Sequence, residues 1–255
     1  MYKILSLIDC AYIPKMSTLK KYIGVIVFFS FSGCAYCQTL NEEKDFYIWF
    51  DEMAGIENAN LYEGTVHVQK YATLDGEHKF YKTFNYLNGH IVYNGEAYFN
   101  IDMKYDIYED EILLALRSSS RVMMLQLIKE RIKEFVIDER RFIGMENESS
   151  TTFGFYEALM ETSFFTFLKK HKKIRYPSKK NILFHRFVIK NEYYLNYKQR
   201  NYNIRNKKDI IKIFPQYKTS LNKFSMESLR KTDKDEYLLK LLDVVHNNLQ
   251  SEKTL

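Results

Sequence analysis

Five carboxylates fall within ten residues of this 255-residue chain, at Asp102, Asp106, Glu109, Asp110 and Glu111. Carboxylates that dense can hold a cation or divide acid and base roles. A calcium loop needs alternating oxygen ligands around a central glycine, and this cluster has neither. Glycoside hydrolysis needs two carboxylates at a set separation across a cleft, which is a property of the fold rather than of spacing. The cluster therefore reads as a solvated hairpin tip. His67, His78 and His90 are the histidines of residues 38–160. None stands at i, i+2 or i, i+4 from another with a carboxylate partner, so they read as solvated or hydrogen-bonded strand histidines and imply no metal or cofactor. The chain carries no G-x-S-x-G, no phosphate-binding glycine loop and no H-E-x-x-H. These absences favour a non-enzymatic binding or scaffold protein over its alternative, a carboxylate-based hydrolase acting on an envelope or extracellular substrate.

The positive charge is concentrated elsewhere. Residues 38–160 hold 12 Lys and Arg against 22 Asp and Glu, and residues 161–255 hold 22 against 9. The densest basic run spans 169–180, with Lys169, Lys170, Lys172, Lys173, Arg175, Lys179 and Lys180, and Arg186 and Lys190 follow closely. Lysines at this density repel one another, so an anionic partner or an internal acidic face must offset them. The candidate anion-binding surface is this set of nine side chains. Its expected partner is a lipid phosphate, an acidic glycan or an acidic protein of the cell envelope. Nucleic acid suits the charge, but the aromatics form no stacking platform and the export signal argues against it.

That signal lies near the start of the chain. Lys20-Lys21 precedes an apolar run at residues 22–33 that is too short to span a bilayer, and small and polar residues follow. The order is that of a secretory signal, with cleavage expected between Cys37 and Gln38 and residues 1–15 as an upstream extension before Met16. Phe31-Ser32-Gly33-Cys34 also partly matches a lipoprotein box, which makes Cys34 a candidate lipidation site. Membrane contact is expected only through a lipidated Cys34 or the basic surface. The expected location is periplasmic or secreted, with an outer-membrane lipoprotein as the alternative. Cys10, Cys34 and Cys37 are the only cysteines, so cleavage leaves no thiol or disulfide chemistry.

The elements that must position these groups read as antiparallel β-structure. Ala97, Phe99, Ile101, Met103 and Tyr105 alternate with Tyr98, Asn100, Asp102 and Lys104, and Asn94-Gly95 supplies a two-residue type I′ turn before them. Together with 111–116, the stretch 89–117 forms a meander. Further strands are expected at 65–71, 78–84, 121–128, 132–137, 140–145, 153–157, 164–168, 184–189, 193–197 and 202–204. Tyr176-Pro177-Ser178 is expected to break regular structure. Residues 39–59 suit an amphipathic helix, and Trp49 reads as a core or interface anchor. After residue 205 the period becomes helical. Asn206 with Asp209 caps one helix, Pro215 opens a second, and Asp233 with Glu236 caps a third carrying Tyr237, Leu238, Leu241, Leu242, Val245 and Leu249. The expected fold is mainly β (α+β): an antiparallel meander sheet, sandwich or barrel-like, over 38–205, with helices of 206–255 packed on it.

On Tyr62-x-Gly64, Tyr93-Asn94-Gly95, Tyr105-Asp106 with Asp110-Glu111, Gly154-Phe155-Tyr156-Glu157, Tyr193-Tyr194 and Lys207-Lys208, the chain resembles an uncharacterised family of secreted proteins from Bacteroidota. The resemblance covers residues 61–249. It implies export and a shared fold, and supplies no catalytic residue. The chain departs from the pattern at the 118–121 turn, where a glycine is expected.

Overall fold

The computed structural model describes residues 60–253 apart from 75, 119–120, 147–152, 179–183 and 225–226, together with Asp45 and Ile48. The expected signal segment, Cys34, Gln38, Trp49, Lys179 and Lys180 lie outside the described residues. Of the helix expected at 39–59, Asp45 and Ile48 are described and both are helical. The chain divides into units Met1–Phe50 and Asp51–Leu255. The second contains all the strands and helices discussed below.

Eleven strands form one antiparallel sheet. In chain order they are β1 (Gly64–Val66), β2 (Leu87–Tyr93), β3 (Glu96–Asp106), β4 (Glu111–Ser118), β5 (Arg121–Leu127), β6 (Ile132–Ile137), β7 (Arg140–Glu146), β8 (Phe153–Glu161), β9 (Phe165–Lys170), β12 (Glu192–Tyr197) and β13 (Arg200–Asn203). The order across the sheet is β1-β5-β4-β3-β2-β6-β7-β8-β9-β12-β13. Strands β2 to β5 therefore step outward in sequence, and β6 returns beside β2 to begin a second run in the other direction. Between β9 and β12 the chain leaves the sheet as a two-stranded ribbon of β10 (Lys173–Pro177) and β11 (His185–Ile189). The β2–β3 turn is the expected one: Asn94 and Gly95 both have positive φ, 53° and 86°.

The sheet is open, with β1 and β13 at its edges, yet it is strongly coiled. Neighbouring strands lie about 4.8 Å apart, so β3 and β7, three positions apart, would be roughly 14 Å apart in a flat sheet. The rings of Tyr105 in β3 and Phe142 in β7 are 5.3 Å apart, and Tyr105 reaches Phe155 of β8 at 6.0 Å. The inner face is thus rolled around its own aromatic core, where Phe135 and Phe142 stack at 4.8 Å.

A second core joins the far end of the sheet to four helices: α1 (Lys207–Ile213), α2 (Lys218–Lys223), α3 (Glu227–Thr232) and α4 (Lys234–Lys253). Phe165 and Phe167 of β9 and Tyr193 and Leu195 of β12 pack with Ile210, Phe214, Leu221, Leu238, Leu241, Leu242 and Val245. The capping box at Asn206 and Asp209 is formed, and Asp233 Oδ1 accepts from the Glu236 amide at 2.9 Å. No described helix is long and apolar enough to cross a membrane.

The structure corrects several expectations. The strand expected at 65–71 stops at Val66, because Val66 and Val68 are both exposed and their alternation faces no core. At 78–84 only Phe80 bridges to Asp106; the rest of the segment follows an irregular path fixed by the buried Lys79–Asp106 ion pair at 2.5 Å. Tyr176 and Pro177 end β10 rather than breaking it; each strand of a two-stranded ribbon has one unpaired edge, where proline needs no amide hydrogen. The carboxylates read as a solvated hairpin tip are not all solvated: Asp106 is 0% exposed and Asp110 is largely enclosed. The coiling of the sheet brings lysines from distant segments onto them.

Candidate functional site

A cavity of about 390 Å³ opens where the β8–β9 hairpin, the β6–β7 turn, the 78–82 segment, the base of the ribbon and the first turn of α4 meet. Two of its charged side chains, Glu157 and Lys169, come from strand positions where an apolar residue would be the rule. Phe155 and Glu157 share one face of β8, and Phe165, Phe167 and Lys169 share one face of β9. Glu157 and Lys169 are register partners, and Lys169 in turn pairs with Tyr193 of β12. Three functional groups are thereby set side by side.

Each group has a partner. His171 Nε2 lies 2.5 Å from Glu157 Oε2, and Arg140 approaches the other oxygen at 3.4 Å. An ionised carboxylate only accepts, so the shared hydrogen belongs to the imidazole. The Lys169 ammonium donates to Asp235 Oδ2, and Tyr193 donates to Asp235 Oδ1 at 2.6 Å. Lys173 donates to two backbone carbonyls, of His78 at 2.7 Å and Phe80 at 3.0 Å. Lys82 at the mouth pairs with Asp138.

Burial governs the protonation states. It pushes His171 below its ordinary range, outweighing the hydrogen bond to Glu157, and so favours the neutral imidazole. It also lowers Lys173 to about 8. Burial pushes the Asp235 carboxyl up, but the hydrogen bonds from Lys169 and Tyr193 together with nearby positive charge outweigh this and hold it below its usual value. Around the cavity stand four lysine or arginine side chains, Lys82, Arg140, Lys169 and Lys173, against two carboxylates, Glu157 and Asp235.

The basic run does not lie on one exposed face. Lys169 and Lys173 are buried and line the cavity. Lys172 is exposed and pairs with Glu192 at 3.2 Å, and Lys190 is exposed beside it, its amide bonded to the Lys172 carbonyl at 2.8 Å. Arg175 lies out on the ribbon with its guanidinium 4.3 Å from the Tyr71 ring centre, and half-buried Arg186 stands opposite Tyr176. Lys170 points elsewhere, to Asp110.

Asp110 is the hub of a separate cluster. Its carboxylate takes Lys129 and Lys170 at 2.5 Å each, the Tyr105 hydroxyl at 2.6 Å and the Phe155 amide at 3.4 Å. Gly154 makes room for it, since a Cβ there would lie 2.7 Å from Lys170 Nζ and 3.1 Å from Asp110 Oδ2. The acidic segment around 106–111 therefore does meet the basic run, through the Lys170–Asp110 pair and through the Lys173 amide, which donates to the Ile107 carbonyl at 3.1 Å. Of the histidines, His67 Nε2 lies 3.3 Å from Lys79 Nζ, and the His78 ring packs on Phe80. Among the described residues no group of three or more His, Cys, Asp or Glu could hold a metal ion.

Glu157, His171, Arg140, Tyr193 and Asp235 were not visible as a site in the sequence, since no short spacing joins them. The available signal was a charge on an apolar strand face, at Glu157 and Lys169. No family model, curated protein or solved structure matches the chain.

Proposed function

We propose that this chain is an exported, non-enzymatic binding or scaffold protein of the cell envelope, and that it takes an anionic partner (a lipid phosphate, an acidic glycan or an acidic protein) at the mouth of the Glu157–Asp235 cavity. The observation that carries the reading is the excess of lysine and arginine over carboxylate around that cavity, with exposed Lys172 and Lys190 beside it. The signal-like order of residues 20–38 supports export. The hydrolase alternative needs a carboxylic acid held neutral near pH 7. Asp235 is shifted the opposite way, and Glu157 is engaged by His171 and Arg140.

The test is binding of the protein to anionic vesicles and to an acidic polysaccharide across a salt series, wild type against Lys82→Gln with Arg140→Gln. Both side chains are more than half exposed, so the variant should keep its fold. Binding should weaken steeply with salt, because exposed charges are screened beyond about 10 Å at 0.1 M, and the variant should bind more weakly at every salt concentration. Equal binding by both proteins, or none by either at low salt, would overturn the proposal.

A further inference from the structure

A second cavity, of about 270 Å³, lies on the other side of the first turn of α4. Its walls come from three places that the helical layer brings together: Arg205 before α1, Arg230 and Lys231 in α3, and Lys234 at the start of α4. Tyr237 and Leu238, both buried, complete its lining. The lining differs from that of the first cavity in one decisive respect: four cationic side chains and, among the described residues, no carboxylate.

Three acidic residues nearby are committed elsewhere. Asp209 Oδ2 accepts the Arg205 and Asn206 amides at 3.0 and 3.2 Å, Asp233 caps α4, and Asp235 holds Lys169 and Tyr193. Three of the cations also have contacts of their own: the Arg205 Nε donates to Asn203 Oδ1 at 3.3 Å, Lys234 Nζ sits 4.6 Å from the Tyr193 ring centre, and Arg230 is engaged as well. Like charges converging on one concavity repel unless an anion joins them.

We propose that this cavity binds a small phosphorylated molecule, its phosphate held by Arg205 with Lys231 and Lys234 and its uncharged part resting on Tyr237 and Leu238. Arginine matches a phosphate with paired donors, and lysine adds charge from flexible reach. The volume falls just under the roughly 300–1,000 Å³ of most ligand pockets, which suits a ligand of sugar-phosphate size. The phosphate can belong to a soluble compound or to a lipid headgroup, and the site is distinct from the cavity of the proposed function.

The experiment titrates the full chain with glucose 1-phosphate and inorganic phosphate by calorimetry, and with phosphatidylglycerol and phosphatidylcholine vesicles by sedimentation. Proteins compared are the wild type, Arg205→Gln with Lys231→Gln, and the Lys82→Gln, Arg140→Gln pair. Both Arg205 and Lys231 are exposed, so their replacement should leave the melting temperature in place. The expected result is saturable binding of the soluble phosphates by the wild type, lost at least tenfold in the Arg205, Lys231 variant and retained in the Lys82, Arg140 variant, whereas vesicle binding, to which the first cavity also contributes, weakens in both variants. Retention in the latter separates this site from the first cavity. Binding of the soluble phosphates assigns a soluble ligand, and binding confined to phosphatidylglycerol vesicles assigns a headgroup. No saturable binding by the wild type to either probe, or equal binding by the Arg205, Lys231 variant, would overturn the proposal.

Discussion

The Asp110 carboxylate lies 2.5 Å from the Lys170 ammonium across 60 residues of chain, tying the β3–β4 turn to the end of β9. Burial pushes Asp110 up, but Lys170 and Lys129 outweigh it and hold it below the usual carboxylate range. Asp110→Asn leaves two lysines facing each other without a counter-charge. We expect a loss of about 3 kcal/mol in guanidinium denaturation at pH 7, since removing one member of a buried pair strands the other. The wild-type contribution is present above the ordinary carboxylate pKa and is lost as pH falls through the lowered folded value, so the variant should also show a shallower acid decline. Unchanged stability at pH 7 would show that the cluster is not enclosed.

Alkaline pH gives a second readout. Burial lowers both Lys170 and Lys173 to about 8, against an ordinary lysine value of about 10.4. Below about pH 8 both are charged in folded and unfolded chains alike. Between about 8 and 10 the unfolded chain keeps protons that the folded chain has released, so stability should rise, by up to ~1.4 kcal/mol per pH unit for each lysine. Above about 10 the tyrosines reverse the trend, because burial raises Tyr105, Tyr193 and Tyr194 in the folded state. Denaturation midpoints at pH 7 to 11 check this, and Lys173→Met should flatten the rise. A steady fall from pH 8 upward would contradict it.

Leu241→Asp probes the docking of α4. Leu241 is fully buried among aromatic and aliphatic side chains, so an aspartate there has no partner. The expected loss is ~3 kcal/mol or more, read as a drop in melting temperature. An unchanged melting temperature would mean that the helix does not rest on the sheet.

Gly89→Ala probes the centre of the sheet. A Cβ at Gly89 would stand 1.9 Å from the Val136 carbonyl oxygen and 3.0 Å from its carbon, and backbone cannot swing aside as a side chain can. β2 and β6 would have to separate. We expect ~3 kcal/mol or more of destabilisation and a low yield of soluble protein; normal yield and stability would refute the close approach.

The local features were legible before the fold was known. Asn94-Gly95, the alternation of β3, the Asn206–Asp209 box and the Asp233 cap each depend on residues within a few positions of one another. The pairing of β2 with β6 was not legible, because nothing in either strand names its partner. For the same reason Asp110 read as a solvated tip: its lysines lie 19 and 60 residues away and reach it only when the sheet coils. The basic run, continuous in sequence, is divided by the strand period, which turns Lys169 into the cavity and Lys170 to Asp110. The α3 helix was also missed, since neither of the capping signals recognised here falls at its start.

The strand order also bears on how the chain acquires its structure. Most neighbouring strands in the sheet are consecutive in sequence, so two hairpin series, β2 to β5 and β6 to β9, can zip up through short loops at little entropic cost. The β2–β6 seam must instead close a loop that contains the whole of β3, β4 and β5. Its registration, with Gly89 seated against Val136, is the natural kinetic bottleneck. Substitutions along that seam should slow refolding, whereas those in the outer hairpins should chiefly hasten unfolding.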